Sequence, residues 1–396
     1  MHLMKPFSRT TTLLIGLAGT FPTAAPANPE LASELAPRLQ EAVDQRVTPG
    51  GVLVIGRRDA LLLQLPFGRL TYDVDSPAVQ LDTLYDLASV SKVAGTMACS
   101  ILLMERGDLD SSATVSRYLP DFAANGKESV TVADLMLHCS GLKAYENNAT
   151  VERTRSPGES PADALQRTYA ALAPSYPPRT DHIYSCLNFQ VLARINEVQS
   201  GIRQEDYLID NLYLPLGMTE TFYRVPEALQ PRIAPTGLGA PAADVHDPLA
   251  RYHGTAAHCP GNAGLFSTAP DLARFCAWVL RDGEPLLRPG LLRSTTGNAS
   301  PPGVGNRRGL GWDIFDDPPY TTPEHHASRT PVIGHTGYTG TMIWIDTRSG
   351  HYFVLLTNRV FPSDSPESSK GIIALRKAVA KATLALGEVR DEEASR

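Results

Sequence analysis

Cysteine is scarce in this sequence: five among 396 residues, at positions 99, 139, 186, 259 and 276, with no Cys-x-x-Cys pair. That spacing excludes a zinc module and a dense disulfide scaffold, and the odd count leaves at least one thiol without a partner in the chain. No run of lysines and arginines stands out from the 36 basic and 42 acidic residues, whose net charge is −6, so nucleic acid is not an expected partner. Beyond the N-terminus no segment offers about eighteen uninterrupted apolar residues, so no integral membrane span is expected. Common catalytic and nucleotide templates are missing too. There is no Gly-x-Ser-x-Gly elbow, no His-Glu-x-x-His and no Gly-x-x-x-x-Gly-Lys-Ser/Thr. The glycines of "GVGNRRGLGW" lack both a dinucleotide register and a preceding strand, and read as a loop.

What is present begins with an export pattern. Lys5 and Arg9 precede an apolar stretch from about Leu13 to Phe21, and Ala25-Pro26-Ala27 offers small residues for cleavage, so residues 1–27 read as a signal peptide and the protein as periplasmic or secreted. The domain that remains is 28–396; the whole chain is 42% apolar, enough for a large core. Helical spacing marks residues 30–47. "GGVLVIGRRDALLLQLPFG", Gly50 to Gly68, reads as a hairpin, and "GTMIWIDTRSGHYFVLLTN", Gly340 to Asn358, repeats the arrangement before a helical pattern that runs to about Gly387. The middle holds proline-rich loops and helical stretches such as "ADALQRTYAALA" and "APDLARFCAWVLRDG". The simplest architecture is α/β of the α+β kind: one antiparallel sheet built from both chain ends and flanked by the terminal helices, with a mostly helical region inserted. The sheet part is expected over about 28–108 and 300–396, the helical part over about 109–299.

"DLASVSKVAGTMACS" places Ser89 and Lys92 three residues apart where a helical pattern starts. Val90, Val93, Ala94, Met97, Ile101 and Met104 are apolar at helical spacing, and Gly107 stands where a C-terminal cap belongs. Side chains three apart on a helix lie about 5–6 Å apart at Cβ, so Lys92 can reach the Ser89 hydroxyl. Burial is expected to lower the lysine's pKa and let a neutral amine take the serine's proton. A second Ser-x-x-Lys, Ser140 to Lys143, is broken at once by Gly141 and reads as a loop.

Two further segments, Tyr184-Ser185-Cys186 and His335-Thr336-Gly337, complete an ordered set with Ser89 and Lys92. With "VTVADLMLHCSGL", "YLPLGMTETFY", "GNAGLFSTAPDLARF" and "RGLGWDI", the set resembles the serine β-lactamase and penicillin-binding protein superfamily, on its class C side, over about Thr83 to Val360. The resemblance implies a β-lactamase/transpeptidase-like fold with no cofactor and no metal. It implies Ser89 as acylated nucleophile, Lys92 and Tyr184 as carriers of its proton, and Thr336 as a hydrogen-bond donor to a substrate carboxylate. His335-Thr336-Gly337 is expected at the head of a strand on the sheet edge, with the N–H groups of Ser89 and Tyr338 as the oxyanion hole. Tyr184 needs a cationic neighbour to act as phenolate near neutrality, a field Lys92 and His335 are expected to supply.

Two departures bear on substrate. His335 stands where most β-lactamases carry lysine, so its charge is expected to depend on pH near neutrality. Cys186 stands where asparagine or aspartate is usual, and a thiol does not copy a carboxamide that holds the lysine and a substrate amide. It reads as an inert small residue, half of a disulfide or a reactive thiol. Arg179 occupies the glycine position of a "PPGT" loop. His138 reads as a structural histidine bonding loop backbone, His246-Asp247 as structural, and His325-His326 as solvated loop. The expected function is an exported serine hydrolase acting on an amide or ester bond of a small molecule or a peptidoglycan peptide, with D-alanyl peptides or esters ahead of β-lactams. The alternatives are a carboxylesterase of the same family and a penicillin-binding-fold binding protein whose catalysis has decayed.

Overall fold

The computed structural model describes residues 28–394 apart from 240, 255–257, 324 and 326–329, and side chains to residue 387. The signal-peptide stretch and His326 lie outside the described residues. Helix α1, Pro29–Asp44, starts at Asn28, whose side chain accepts from the Leu31 N–H. It leads into the hairpin β1, Gly50–Arg57, and β2, Ala60–Gly68. Four strands come from the other end: β3, Asp313–Ile314; β4, Val332–Thr336; β5, Met342–Asp346; and β6, His351–Thr357. All six form one antiparallel sheet in the order β2-β1-β6-β5-β4-β3, so β1 and β6 join the two ends of the chain at its centre. Helix α5, Pro366–Ala394, follows. A further short strand pair, Tyr85–Asp86 with Phe266–Ser267, carries no sequence signal at that length.

The two-residue period of the strands sorts the core into two layers. Val52 and Val54, Ile343 and Ile345, Val354 and Leu356 face the larger cluster, which includes the helices of the middle of the chain. Their neighbours Leu53 and Ile55, Met342 and Trp344, Phe353 and Leu355 face the opposite side. There they meet Leu31, Leu35 and Leu39 of α1 and Ile372, Leu375 and Val379 of α5. Burial on both faces is why these strands read as continuous apolar runs rather than alternating ones.

Within the middle of the chain, α3, Cys186–Ser200, is buried on most of its length. Helix α4, Ala269–Leu280, falls in the stretch that composition alone groups with the helical part, yet Leu272, Phe275, Cys276 and Val279 join the sheet-facing cluster. Thr268 caps it by accepting from the Asp271 N–H.

Trp344 is fully buried and its ring stacks on Phe353 at 5.4 Å between centroids. Removing such a side chain costs about 3–5 kcal/mol. Trp344→Ala is therefore expected to lower the unfolding free energy in urea by that amount, while Val74→Ala, at a position 80% exposed, is expected to stay within about 0.5 kcal/mol of the parent.

Candidate active site

Ser89 sits on a tight turn, Ala88–Val90, that feeds a wide helical turn, Lys92–Met97, and then α2, Ala98–Arg106, closed by Gly107 at φ 77°. Ala88, directly before the serine, is in the left-handed region at φ 49°, a conformation that costs a non-glycine residue of order 1 kcal/mol or more. The Asp86 carboxylate supports the turn by accepting the Ala88 N–H at 2.8 Å.

Lys92 is fully buried and its Nζ donates to Ser89 Oγ at 3.0 Å and to the carbonyl oxygen of Asn262 at 2.7 Å. The Cys186 sulfur lies 4.0 Å away, and the Tyr184 ring centroid 5.0 Å away. Lys92 and Ser89 both act on the Tyr184 phenol and pull its pKa down against burial. The structure thus brings the serine, the lysine and the tyrosine together from positions far apart in the sequence.

The charge on Lys92 differs from the sequence expectation. Burial does disfavour the ammonium, but the Cys186 sulfur, the Tyr184 phenol and Asp247 more than offset it and hold the amine above its ordinary value. The resting lysine is a cation. Burial pushes the Tyr184 phenol up while Lys92 pulls it back, so the two groups share their protons as a coupled pair.

His335 also departs from expectation. Burial pushes its imidazole down to about 4, against the opposing pull of Asp313. It is neutral through the physiological range and supplies no cationic field to Tyr184. Its Nδ1 donates to the Thr336 carbonyl at 2.8 Å, which fixes the tautomer, and its buried Nε2 has no hydrogen-bond partner among the described residues. His335 and Thr336 end β4 rather than opening a strand, and they run past the two-residue edge strand β3, which pairs only with Ile333 and Gly334.

Beyond β4, the turn 337–341 is stapled to the segment before the serine. The Thr339 hydroxyl donates to the Asp86 carbonyl and the Thr341 hydroxyl to the Leu87 carbonyl, both at 2.8 Å. Gly337 is required by this approach. A Cβ there would lie 2.0 Å from Thr341 Oγ1 and 2.6 Å from the Leu87 carbonyl oxygen. Tyr338 is half exposed, stacks on His246 at 5.7 Å and donates its hydroxyl to Asp364. Ser89, Tyr184, Asp313, His335, Thr336, Gly337 and Tyr338 line one open cavity of about 440 Å³, with Arg359, Ser369, Ile372, Ile373 and Arg376 also on its wall.

Several supporting residues carried no recognisable motif. Asp86 accepts from His246 Nδ1 at 2.9 Å and from its backbone N–H at 2.7 Å. Burial opposes charge on both partners, yet each holds the other ionised, Asp86 below and His246 above the ordinary value. Asn262, whose carbonyl holds Lys92, is itself held by Asp247 and Gln190. His138 is structural as expected: its Nδ1 accepts the Ser185 N–H at 3.0 Å, and its ring lies 4.6 Å from that of Tyr184. Arg179 adopts φ 68°, which explains why glycine suits that position, and its guanidinium holds Asp134 at 2.6 Å. His325 is buried rather than solvated, bonding Asp346 at 2.9 Å. All five cysteines are free thiols.

The Beta-lactamase family model matches residues 35–376, and the chain belongs to that family of serine hydrolases. A protein of Escherichia coli (strain K12) named "Putative D-alanyl-D-alanine carboxypeptidase" is 28% identical over 309 residues, 70% of this chain and 69% of its own. A penicillin-binding protein homologue from Caulobacter crescentus superposes with a TM-score of 0.69 at 20% identity, covering 90% of this chain and 98% of that one. EstCE1, described as a hydrolase with promiscuous acyltransferase activity, does so with a TM-score of 0.67 at 21% identity, covering 89% and 98%.

Two outcomes follow from this geometry. Gly337→Ala is expected to force the turn away from Leu87 and to reduce turnover of any acyl substrate about 100-fold, the scale of a lost oxyanion donor, in steady-state assays. In an NMR titration the His335 imidazole is expected to stay neutral down to about pH 5 and to protonate near pH 4. Because the unfolded histidine titrates near 6.5, its contribution to stability is full above about pH 6.5 and is lost as pH falls toward about 4.

Proposed function

We propose that this member of the Beta-lactamase family is an exported hydrolase that forms an acyl-enzyme at Ser89 and cleaves an amide or ester bond. The observation that carries the reading is the 3.0 Å contact between Lys92 Nζ and Ser89 Oγ, with the serine in a cavity that also holds Tyr184 and the turn of Tyr338. When the Lys92–Tyr184 pair has released one proton, it can take another from Ser89. Ser89 Oγ then bonds to the substrate carbonyl carbon, the bond to the leaving group breaks, and the pair passes the proton to that group. In the second half a water gives its proton to the pair, its oxygen bonds to the acyl carbon, and Ser89 leaves and regains a proton. The N–H groups of Ser89 and Tyr338 receive the oxyanion in both halves.

A preference for esters has specific support. Cys186 puts a sulfur where a carboxamide would hold an amide substrate, and the neutral His335 adds no charge to attract a substrate carboxylate. The carboxypeptidase-named relatives support a D-alanyl peptide as the amide substrate of the same site. They also support export, together with the N-terminal pattern of Lys5, Arg9 and the apolar stretch after them. No helix of the described residues is long and apolar enough to cross a membrane.

The reading is tested by incubating the protein with an activated fluorophosphonate and with fluorescent penicillin, then mapping adducts by mass spectrometry. Label on Ser89 that is lost in Ser89→Ala is expected with the fluorophosphonate at least; absence of label with both reagents would favour a binding protein without catalysis. Cys186→Asn is expected to raise turnover of a D-alanyl peptide about five-fold relative to a nitrophenyl ester, the scale of one neutral hydrogen bond. Equal effects on both substrates would remove the role given to position 186.

A further inference from the structure

Arg376 lies on α5, outside every motif of the chain, and is buried against the turn 337–341. Its Nη2 donates to two carbonyls at 2.8 Å, those of Gly337 and Thr341. The turn is closed on the same atoms, since the Gly337 N–H donates to the Thr341 carbonyl at 2.7 Å and the Gly340 N–H to the Gly337 carbonyl at 3.1 Å. No carboxylate among the described residues pairs with the guanidinium, and its Nε has no hydrogen-bond partner there. Burial lowers its pKa to about 10, so it remains a cation at neutral pH. A buried cation without a counter-ion is costly to the fold. The neighbouring Arg359, by contrast, is paired with Asp364.

The Gly337 carbonyl belongs to the same peptide unit as the Tyr338 N–H. In a trans peptide these two groups are rigidly coplanar and point in opposite directions. A donor that anchors the carbonyl therefore fixes the direction of the N–H, and a positive charge on the carbonyl oxygen polarises the unit and makes the N–H a better donor.

We infer that Arg376 is a positioning residue for acyl transfer, clamping the Gly337–Tyr338 peptide so that its N–H is pre-aimed and polarised toward the oxyanion that forms at Ser89. The inference rests on the acyl-enzyme reading and deepens it. Arg376 touches no reacting atom. It acts through the peptide, so its contribution is to the transition state, where the oxygen carries charge, rather than to substrate binding.

The test uses the full chain with a short-chain nitrophenyl ester and, as a mimic of the tetrahedral adduct, phenylboronic acid. In folded Arg376→Met, kcat is expected to fall about 10–100-fold, below the full loss of an oxyanion donor, with KM changed less than about two-fold. Affinity for the boronic acid is expected to fall by the same factor as kcat/KM, and added methylguanidine to restore part of kcat. Arg376→Lys, which keeps the charge but not the forked donor, is expected to fall between the two and carries the test if Arg376→Met does not fold. Unchanged kcat and boronate affinity in either folded variant would overturn the inference, as would a loss confined to KM and melting temperature without rescue. Ser89→Ala separates the two levels. If it abolishes turnover while the Arg376 variants stay at parent rates, only the clamp is wrong; if Ser89→Ala turns over normally, the acyl-enzyme reading falls and the clamp with it.

Discussion

Where the turn 337–341 meets the segment Asp86–Ala88, the Thr339 and Thr341 hydroxyls donate to consecutive carbonyls at 2.8 Å, and the glycine at 337 leaves room for that approach. The rest of the site depends on this contact. Ser89 belongs to a helix that packs into the middle of the chain, whereas the turn belongs to the central sheet. Two neutral hydrogen bonds contribute only about 1 kcal/mol each to stability. Their importance is geometric, because they set the distance between Ser89 and the turn on the other side of the cavity. The Asp86–His246 pair underneath serves the same end, since Asp86 holds the strained Ala88 through its N–H and offers its own carbonyl to Thr339.

The electrostatics of the site are a balance between burial and a few close partners. Lys92 stays charged although it is fully buried, because its donors meet Ser89 Oγ and the Asn262 carbonyl and because Tyr184, Cys186 and Asp247 favour the ammonium. His335 goes the other way under the same burial, with the Asp313 carboxylate, 3.9 Å from its Nδ1, as the main group opposing it. Lysine at the usual position would keep its charge against that burial more readily, because a solvated lysine titrates near pH ~10.4 and a solvated histidine near ~6.5. The histidine therefore makes the strand end neutral, and the positive charge beside Ser89 is that of Lys92, with Arg359 and Arg376 on the cavity wall.

Local signals in the sequence were sufficient for the parts that are local. The spacing of Ser89 and Lys92 and the terminal helices follow from the 3.6-residue period, the two hairpins from paired apolar runs separated by polar turns, and the antiparallel sheet from both chain ends follows from them. The charge states of Lys92 and His335 were not legible, because each is decided by groups brought together only by the fold. The hold on Lys92 by the Asn262 carbonyl had no signature at all, since every residue carries a carbonyl. His246 and Arg376 look like ordinary polar residues along the chain, and only the fold reveals that one braces Asp86 and the other the Gly337 peptide. His335-Thr336-Gly337 is legible as a motif, but that its first two residues close a strand beyond a two-residue edge is shown only by the pairing itself.

The central claim is that the proton of Ser89 leaves through a lysine–tyrosine pair that is fully protonated at rest. The pH dependence of the rate at which a fluorophosphonate labels Ser89 reads that directly. The account predicts a rate that rises through the neutral and alkaline range, since both Lys92 and Tyr184 are held above their ordinary values, and a low, flat profile in Lys92→Met. A limb confined to the acid range of a carboxylate or histidine, unchanged by Lys92→Met, would contradict it.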